Sequence, residues 1–157
     1  MEIRRAKNED IPRIHELLTQ VNNVHAKGRP DLFKSGNRKY TDEELKIIIA
    51  DTKQRPIFVL TDNDDKVLGY CFCIVEQFIN DNNRTDVKTL YIDDLCVDAV
   101  CRHQHIGRRL YDYVIRYARE NGFYNVTLNV WECNPGARAF YDKCGMSPLK
   151  TYLETIL

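Results

Sequence analysis

Two aspartates stand side by side inside an otherwise apolar stretch, Tyr91-Ile92-Asp93-Asp94-Leu95-Cys96-Val97. Unpaired buried charge is costly, so a carboxylate in such a place points to a cation to hold or a proton to receive. Neighbouring side chains of a strand point to opposite faces, so only one of the two faces a given side unless a bulge intervenes. The chemistry on offer is to contact a cationic amine, or a water that takes its proton. An edge-facing aspartate paired with a nearby arginine is the plainer explanation and stays open. Glu76 and Glu132 add carboxylates on neighbouring strands.

Directly after that stretch comes Arg102-His103-Gln104-His105-Ile106-Gly107-Arg108-Arg109, with three arginines and two histidines in eight residues. A strand followed by a turn and a helix aims the unpaired N–H groups of the helix's first turn at the turn, where they favour an anion. Gly107 lets a bulky diphosphate approach the backbone with no Cβ in the way. On this segment alone, an ordinary strand-to-helix connection with solvated arginines explains the residues almost as well.

The surrounding pattern supplies the elements that position these residues. Glu2 to Ala6 reads as a first strand. Asp10 and Pro12 open an amphipathic helix with Ile11, Ile14, Leu17, Leu18 and Val21 on one face, and His15 on its surface. Asn22 to Tyr40 has no clean period and reads as a structured loop or broken helix that includes His25, Pro30, Asp31 and Phe33. Thr41 and Glu44 form a capping box for a short helix to Ala50. Ile57 to Thr61 and Val67 to Phe78 make a hairpin, and Lys88 to Asp98 a third successive strand. A helix follows from about His105 to Asn121, stopped by Asn121-Gly122. Asn125 to Trp131 reads as a strand, with Trp131 packed where the central strands part. Asn134-Pro135 starts a helix ending near Gly145, and Leu149 to Ile156 reads as a last strand.

With 157 residues, the chain has the size of one domain, 1–157, with no repeat or internal boundary. Lys+Arg and Asp+Glu both number 23, which removes the global positive field expected of a nucleic-acid or anionic-membrane binder. No apolar run approaches the roughly 20 residues needed to cross a bilayer. The opening residues lack the apolar core of a secretory signal, so a cytoplasmic protein is expected. Cys71, Cys73, Cys96, Cys101, Cys133 and Cys144 make no CxxC pair and are expected to be reduced core residues, not a metal site.

Arg102 and Gly107 match the first and last positions of the acyl-CoA motif of the GNAT acetyltransferase superfamily: Arg or Gln, two residues, Gly, any residue, then Gly or Ala. His105 stands where that motif usually has its first Gly. Further on, Leu128-x-Val130-x-x-x-Asn134-x-x-Ala137-x-x-x-Tyr141-x-x-x-Gly145-Met146 resembles the family's later signature, at the family's distance from the first. Two signatures in order say far more than a lone glycine motif.

The resemblance covers essentially the whole chain and is weakest over Asn22 to Tyr40. It implies a single-domain α/β (α+β) fold: a mixed, mostly antiparallel sheet of six to seven strands with helices on both faces. It implies acetyl-CoA as acyl donor and, as acceptor, a primary amine that attacks the thioester directly without a covalent enzyme intermediate. Arg102, His103, Gln104, His105, Ile106, Gly107 and Arg108 would hold the pyrophosphate, largely by backbone N–H groups. Leu95, Cys96 and Val97 would pair with the pantetheine arm, and Asn134 would bond it or only cap its helix. Tyr141 would lie beside the cofactor sulfur, and a phenol of ordinary pKa near 10 can protonate a thiolate. Asp93 and Asp94 resemble the Tyr-Leu-Glu-Asp stretch of members that acetylate polyamines, in which the first carboxylate faces the amine. Family members often pair through their last strands, so Tyr152 to Leu157 suggests a possible homodimer. A thiol route through Cys96, Cys101 or Cys133 is the mechanistic rival, and a non-catalytic acyl-CoA-sensing module the functional one.

Overall fold

A computed structural model describes all residues, 1–157. Five strands form one mixed sheet in the order of the chain: β1 (Glu2–Arg5), β2 (Ile57–Thr61), β3 (Val67–Gln77), β4 (Lys88–Val97) and β5 (Asn125–Leu128). β1, β2, β3 and β4 are joined by antiparallel ladders, and β5 lies parallel to β4. A parallel neighbour needs a crossover, and α3 (Ile106–Glu120) supplies it. α1 (Ile11–Gly28) and α2 (Asp42–Ala50) precede the hairpin, and α4 (Pro135–Lys143) follows β5.

Every residue of β2 is buried, as expected of a strand covered on both faces. Ile57 and Val59 meet Ile14, Leu17 and Leu18 of α1 and Leu45 and Ile48 of α2, together with Tyr70 and Phe72. Phe58 turns the other way, with Cys71, Cys73, Leu90 and Ile92, against Tyr111 and Val114 of α3 and Phe140 and Tyr141 of α4. Each fully buried Leu or Ile in these layers contributes about 1.5–3 kcal/mol relative to exposure.

Local signals hold at most helix starts. Glu44 N–H donates to Thr41 Oγ1 at 3.1 Å, and Thr41 N–H donates to Glu44 Oε2 at 2.7 Å, closing the capping box. Asn134 Oδ1 accepts from Ala137 N–H at 3.1 Å ahead of Pro135. Asp10 serves differently: it precedes α1, but its carboxylate is bound by Arg4 and by Lys7 N–H, with no cap to the helix.

Four expectations are corrected. The sheet has five strands and not six or seven. Residues 149–156 lie outside any ladder, and a strand exists only with a neighbour to bond. β5 stops at Leu128 rather than Trp131, where Asn129 turns its side-chain amide to the Tyr91 hydroxyl at 3.0 Å. α1 runs on to Gly28; Ala26 continues its buried stripe past polar Asn22 and Asn23, which hide the period in the sequence. His15 is buried, not a surface residue, with Nε2 2.8 Å from Asp42 Oδ1.

Candidate active site

The two aspartates sit at a fault in the central ladder. Phe72 pairs with Asp94 but Cys73 pairs with Ile92, so Asp93 is the extra residue of a β-bulge. The bulge breaks the alternation, and both carboxylates reach one cation. Lys39 Nζ lies 3.0 Å from Asp93 Oδ2 and 3.8 Å from Asp94 Oδ2. The Tyr40 hydroxyl donates to Asp93 Oδ2 at 3.4 Å, and the buried Tyr70 hydroxyl donates to Asp94 Oδ2 at 3.2 Å.

Depth separates the pair. The Asp94 side chain is 10% exposed and that of Asp93 23%. Burial pushes the Asp94 carboxyl up to about 6, against the pull of the Lys39 ammonium. Burial also holds the Tyr70 phenol well above its ordinary value, with the charge of Asp94 adding to it, so Tyr70 stays a donor. Burial pulls the Lys39 ammonium down, but Asp94 and Asp93 together outweigh it and raise it. The Lys39 side chain is 39% exposed, so its ion pair is worth about 1 kcal/mol or less.

β5 accompanies β4 only from Thr89 to Ile92. From Asp93 through Leu95, Cys96 and Val97, β4 has β3 on one side and no strand on the other. That leaves a free backbone edge able to pair with an extended ligand. Tyr141, on α4, packs against Phe140 and Tyr111 at 5.0 and 6.4 Å between ring centroids. Its phenol is raised above the ordinary value by burial first, then by Cys71 and Asp94.

At the end of β4, Asp98 caps a 3-10 turn, Ala99 to Cys101, and bonds Arg13 and Gln20 of α1. His103 and His105 then take left-handed backbone, with φ of 66° and 58°, and α3 starts at Ile106 without a side-chain cap. Gly commonly fills such positions, so the backbone shape survives at His105 although the residue has changed. The basic cluster is less concentrated than its spacing suggests. Arg108 holds Asp112 through Nε at 2.9 Å, and Arg109 reaches the Met1 carbonyl along a surface cleft of about 380 Å³ shared with Ile3, Tyr113 and Arg116. The Arg108 side chain also donates to the Lys143 carbonyl at 3.4 Å, while the Arg102 side chain makes no hydrogen bond or ion pair within the chain.

The unpatterned segment is brought to the same region. His25 and Phe33 lie 5.1 Å apart, and Phe33 meets Trp131 edge-on at 5.1 Å. Trp131 thus packs against the N-terminal segment just beyond the end of β5. His25 is lowered by burial and then by the charge of Lys39. Pro30 stays exposed, and Asp31 pairs with Arg29, which also holds Glu154. Glu76 and Glu132 are exposed and make no ion pair. Asn134 Oδ1 is committed to its cap.

All six cysteines are free thiols. Burial, then Asp94, pushes the Cys96 thiol up to about 12, a poor nucleophile at neutral pH. Sequence reasoning missed Lys39, Tyr40 and Tyr70. Lys39-Tyr40 stands directly before the Thr41 cap, a neighbourhood that carries no chemical pattern, and Tyr70 looks like any strand aromatic. No group of His, Cys, Asp and Glu is placed to hold a metal ion, and no helix is long and apolar enough to cross a membrane.

Residues 29–146 match the family model described as Acetyltransferase (GNAT) family. A probable glucosamine 6-phosphate N-acetyltransferase 2 of Oryza sativa subsp. japonica is 33% identical over 75 residues, 48% of this chain and 41% of that protein. The chain thus spans well under half the length of that curated relative. Among solved structures, a mutant of the BH1408 protein from Bacillus halodurans superposes with a TM-score of 0.94 at 30% identity, covering 100% of this chain and 99% of that one. The glucosamine-6-phosphate N-acetyltransferase of Arabidopsis thaliana, at 23% identity and a TM-score of 0.71 over 99% and 97% of the two chains, shares the fold.

Proposed function

The chain belongs to the GNAT acetyltransferase family, whose members draw their acyl group from acetyl-CoA, and from that premise we propose that residues 1–157 form one acetyltransferase domain acting on a primary amine by direct attack. The observation that carries this reading is the bulged Asp93–Asp94 pair, which seats a primary ammonium beside the free edge of β4. Asp93, the more exposed, anchors the acceptor's ammonium. Asp94, held near pKa 6, is ionised at neutral pH and basic enough to take a proton from it. The edge from Asp93 to Val97 receives the pantetheine arm, and the first turn of α3 receives the pyrophosphate through N–H groups from Ile106 to Arg108.

Tyr141 is the proton donor to the departing thiolate. Burial keeps its phenol protonated at neutral pH, so its O–H is available to donate to the sulfur as the C–S bond breaks. The route needs no cysteine, and Cys96 is too weakly acidic to compete.

The acceptor is a small molecule or a protein N-terminus with an accessible primary amine. Glucosamine 6-phosphate belongs among the candidates because relatives carry that name. CoA-thiol release is to be measured with acetyl-CoA against a polyamine, an aminoglycoside, glucosamine 6-phosphate, a free amino acid, an aromatic amine and a peptide N-terminus. Turnover of at least one amine, slowed tenfold or more in Tyr141→Phe at unchanged acetyl-CoA affinity, is the expected result. Tight binding of acetyl-CoA with no amine turned over would sink the reading and leave an acyl-CoA-binding module.

A further inference from the structure

The seat that this reading gives to the acceptor amine is filled by the chain itself. Lys39 presents a primary amine to both Asp93 and Asp94, and Tyr40 donates to the same Asp93 oxygen that Lys39 approaches. The other ion-paired lysine, Lys7, meets Asp65 at the turn between β2 and β3. Lys39 lies in the segment from Arg29 to Thr41, which contains neither helix nor strand and is mostly exposed. Its side chain can therefore shift by a rotamer or a small loop movement without opening the core.

We propose that Lys39 is an acyl acceptor in its own protein: with acetyl-CoA bound, the enzyme acetylates Lys39 Nζ once and thereby frees the Asp93–Asp94 pair for an external amine. The inference rests on the reading above, since it takes the pair to be the seat from which a nitrogen attacks the thioester. Granted that seat, Lys39 meets the requirements of a substrate. It is a primary amine, it has both carboxylates in reach, and its tether supplies an effective concentration on the order of millimolar without any binding affinity.

The step balances. Lys39 gives one proton to Asp94, and the neutral Nζ attacks the thioester carbonyl. The N–C bond forms and the C–S bond breaks. Tyr141 protonates the departing CoA thiolate, and the second proton lost by the nitrogen replaces the one Tyr141 gave. The proton on Asp94 passes to solvent, so each event yields one amide, one CoA thiol and one proton. The amide carries no charge and loses its attraction to both carboxylates. Because the product stays attached, the modification is a single event per chain.

The test is to incubate the full chain with acetyl-CoA alone and follow intact mass and peptide maps. One acetyl group per chain, at Lys39, is expected. It should form at least tenfold faster than on Lys46, or than on Lys39 in the same protein unfolded in urea, which measures plain chemical labelling. Lys39→Arg keeps the cation and should take up none at that position, and Asp93→Asn should slow labelling at Lys39 while leaving Lys46 unchanged. Turnover of a panel amine with Lys39 unmodified overturns this inference and leaves the proposed function standing. Absence of both labelling and amine turnover overturns the two together.

Discussion

Asp93 and Asp94 are chemically identical, and their different burial underlies the different roles proposed for them. Asp94 is raised above the 3.8 of a free aspartate to about 6, so the fold favours its uncharged form. Its contribution to stability is complete below about pH 4 and is lost as pH rises through 6, the range in which the proposed base becomes ionised. kcat/KM should therefore rise with pH through a midpoint near 6 and then level off. Asp94→Asn should abolish that limb and lower the plateau about a hundredfold or more, while its stability changes less between pH 4 and 6 than that of the parent. A limb that persists in Asp94→Asn would assign the base elsewhere. Gly107 offers a second separation. A Cβ there meets Phe140 and Val97 at 3.5 Å, ordinary contact, so the apoprotein does not need the glycine. Gly107→Ala should leave the thermal midpoint equal or slightly higher, since Ala favours a helix by up to about 1 kcal/mol over Gly. It should weaken acetyl-CoA binding at least tenfold in calorimetry if the pyrophosphate approaches this backbone; unchanged affinity would remove Gly107 from the site. The aspartates are legible in the sequence because apolar surroundings make them anomalous, and Gly107 because it stands in a basic turn between a strand and a helix. Lys39 is not, because a lysine in a polar loop is what any surface contains.

At the scale of elements, what one turn or one cap decides was readable, and what two elements decide together was not. The Thr41 capping box and the Asn134-Pro135 start need only neighbouring residues. The bulge at Asp93 depends on how β3 and β4 register, and the end of β5 depends on Asn129 bonding across to Tyr91. The parting of β4 and β5 that opens the site is therefore a property of the assembled sheet. Gly69 guards the same register. A Cβ there would lie 2.8 Å from the Cys96 carbonyl oxygen, which is ladder backbone and cannot turn aside, and 3.2 Å from Leu110. Gly69→Ala should cost about 1–3 kcal/mol in urea unfolding, the usual range for overpacking. Because the clash displaces β4 next to Val97, acetyl-CoA affinity should fall as well. A variant as stable as the parent would show that β3 and β4 separate more freely than the close approach implies.

At the scale of the whole molecule, the sheet ends on a strand with a free edge. β5 is an edge strand of four residues with nothing beside its outer side. The C-terminal stretch from Leu149 has no secondary structure and no backbone–backbone hydrogen bond, with Tyr152 98% and Leu153 84% exposed. The sequence pattern that read as a last strand is present, but within one chain it has no ladder to join. An unpaired edge and a segment whose alternating apolar residues suit a strand are complementary between two copies, and a formal net charge of +0 sets up no overall repulsion between them. Only the Arg29–Glu154 pair ties this stretch down, and a solvent-exposed, salt-screened pair of that kind is a weak tether. The full chain should therefore sediment as a dimer at concentrations of about tens of micromolar. A variant lacking residues 149–157 should sediment as a monomer and, having lost little buried surface of its own, unfold in urea with an unchanged slope. Arg29→Ala should remain dimeric, since it cuts the tie and not the strand. A full chain that stays monomeric across that range would mean the exposed stretch serves another partner, and a dimer that survives the truncation would move the interface to another surface.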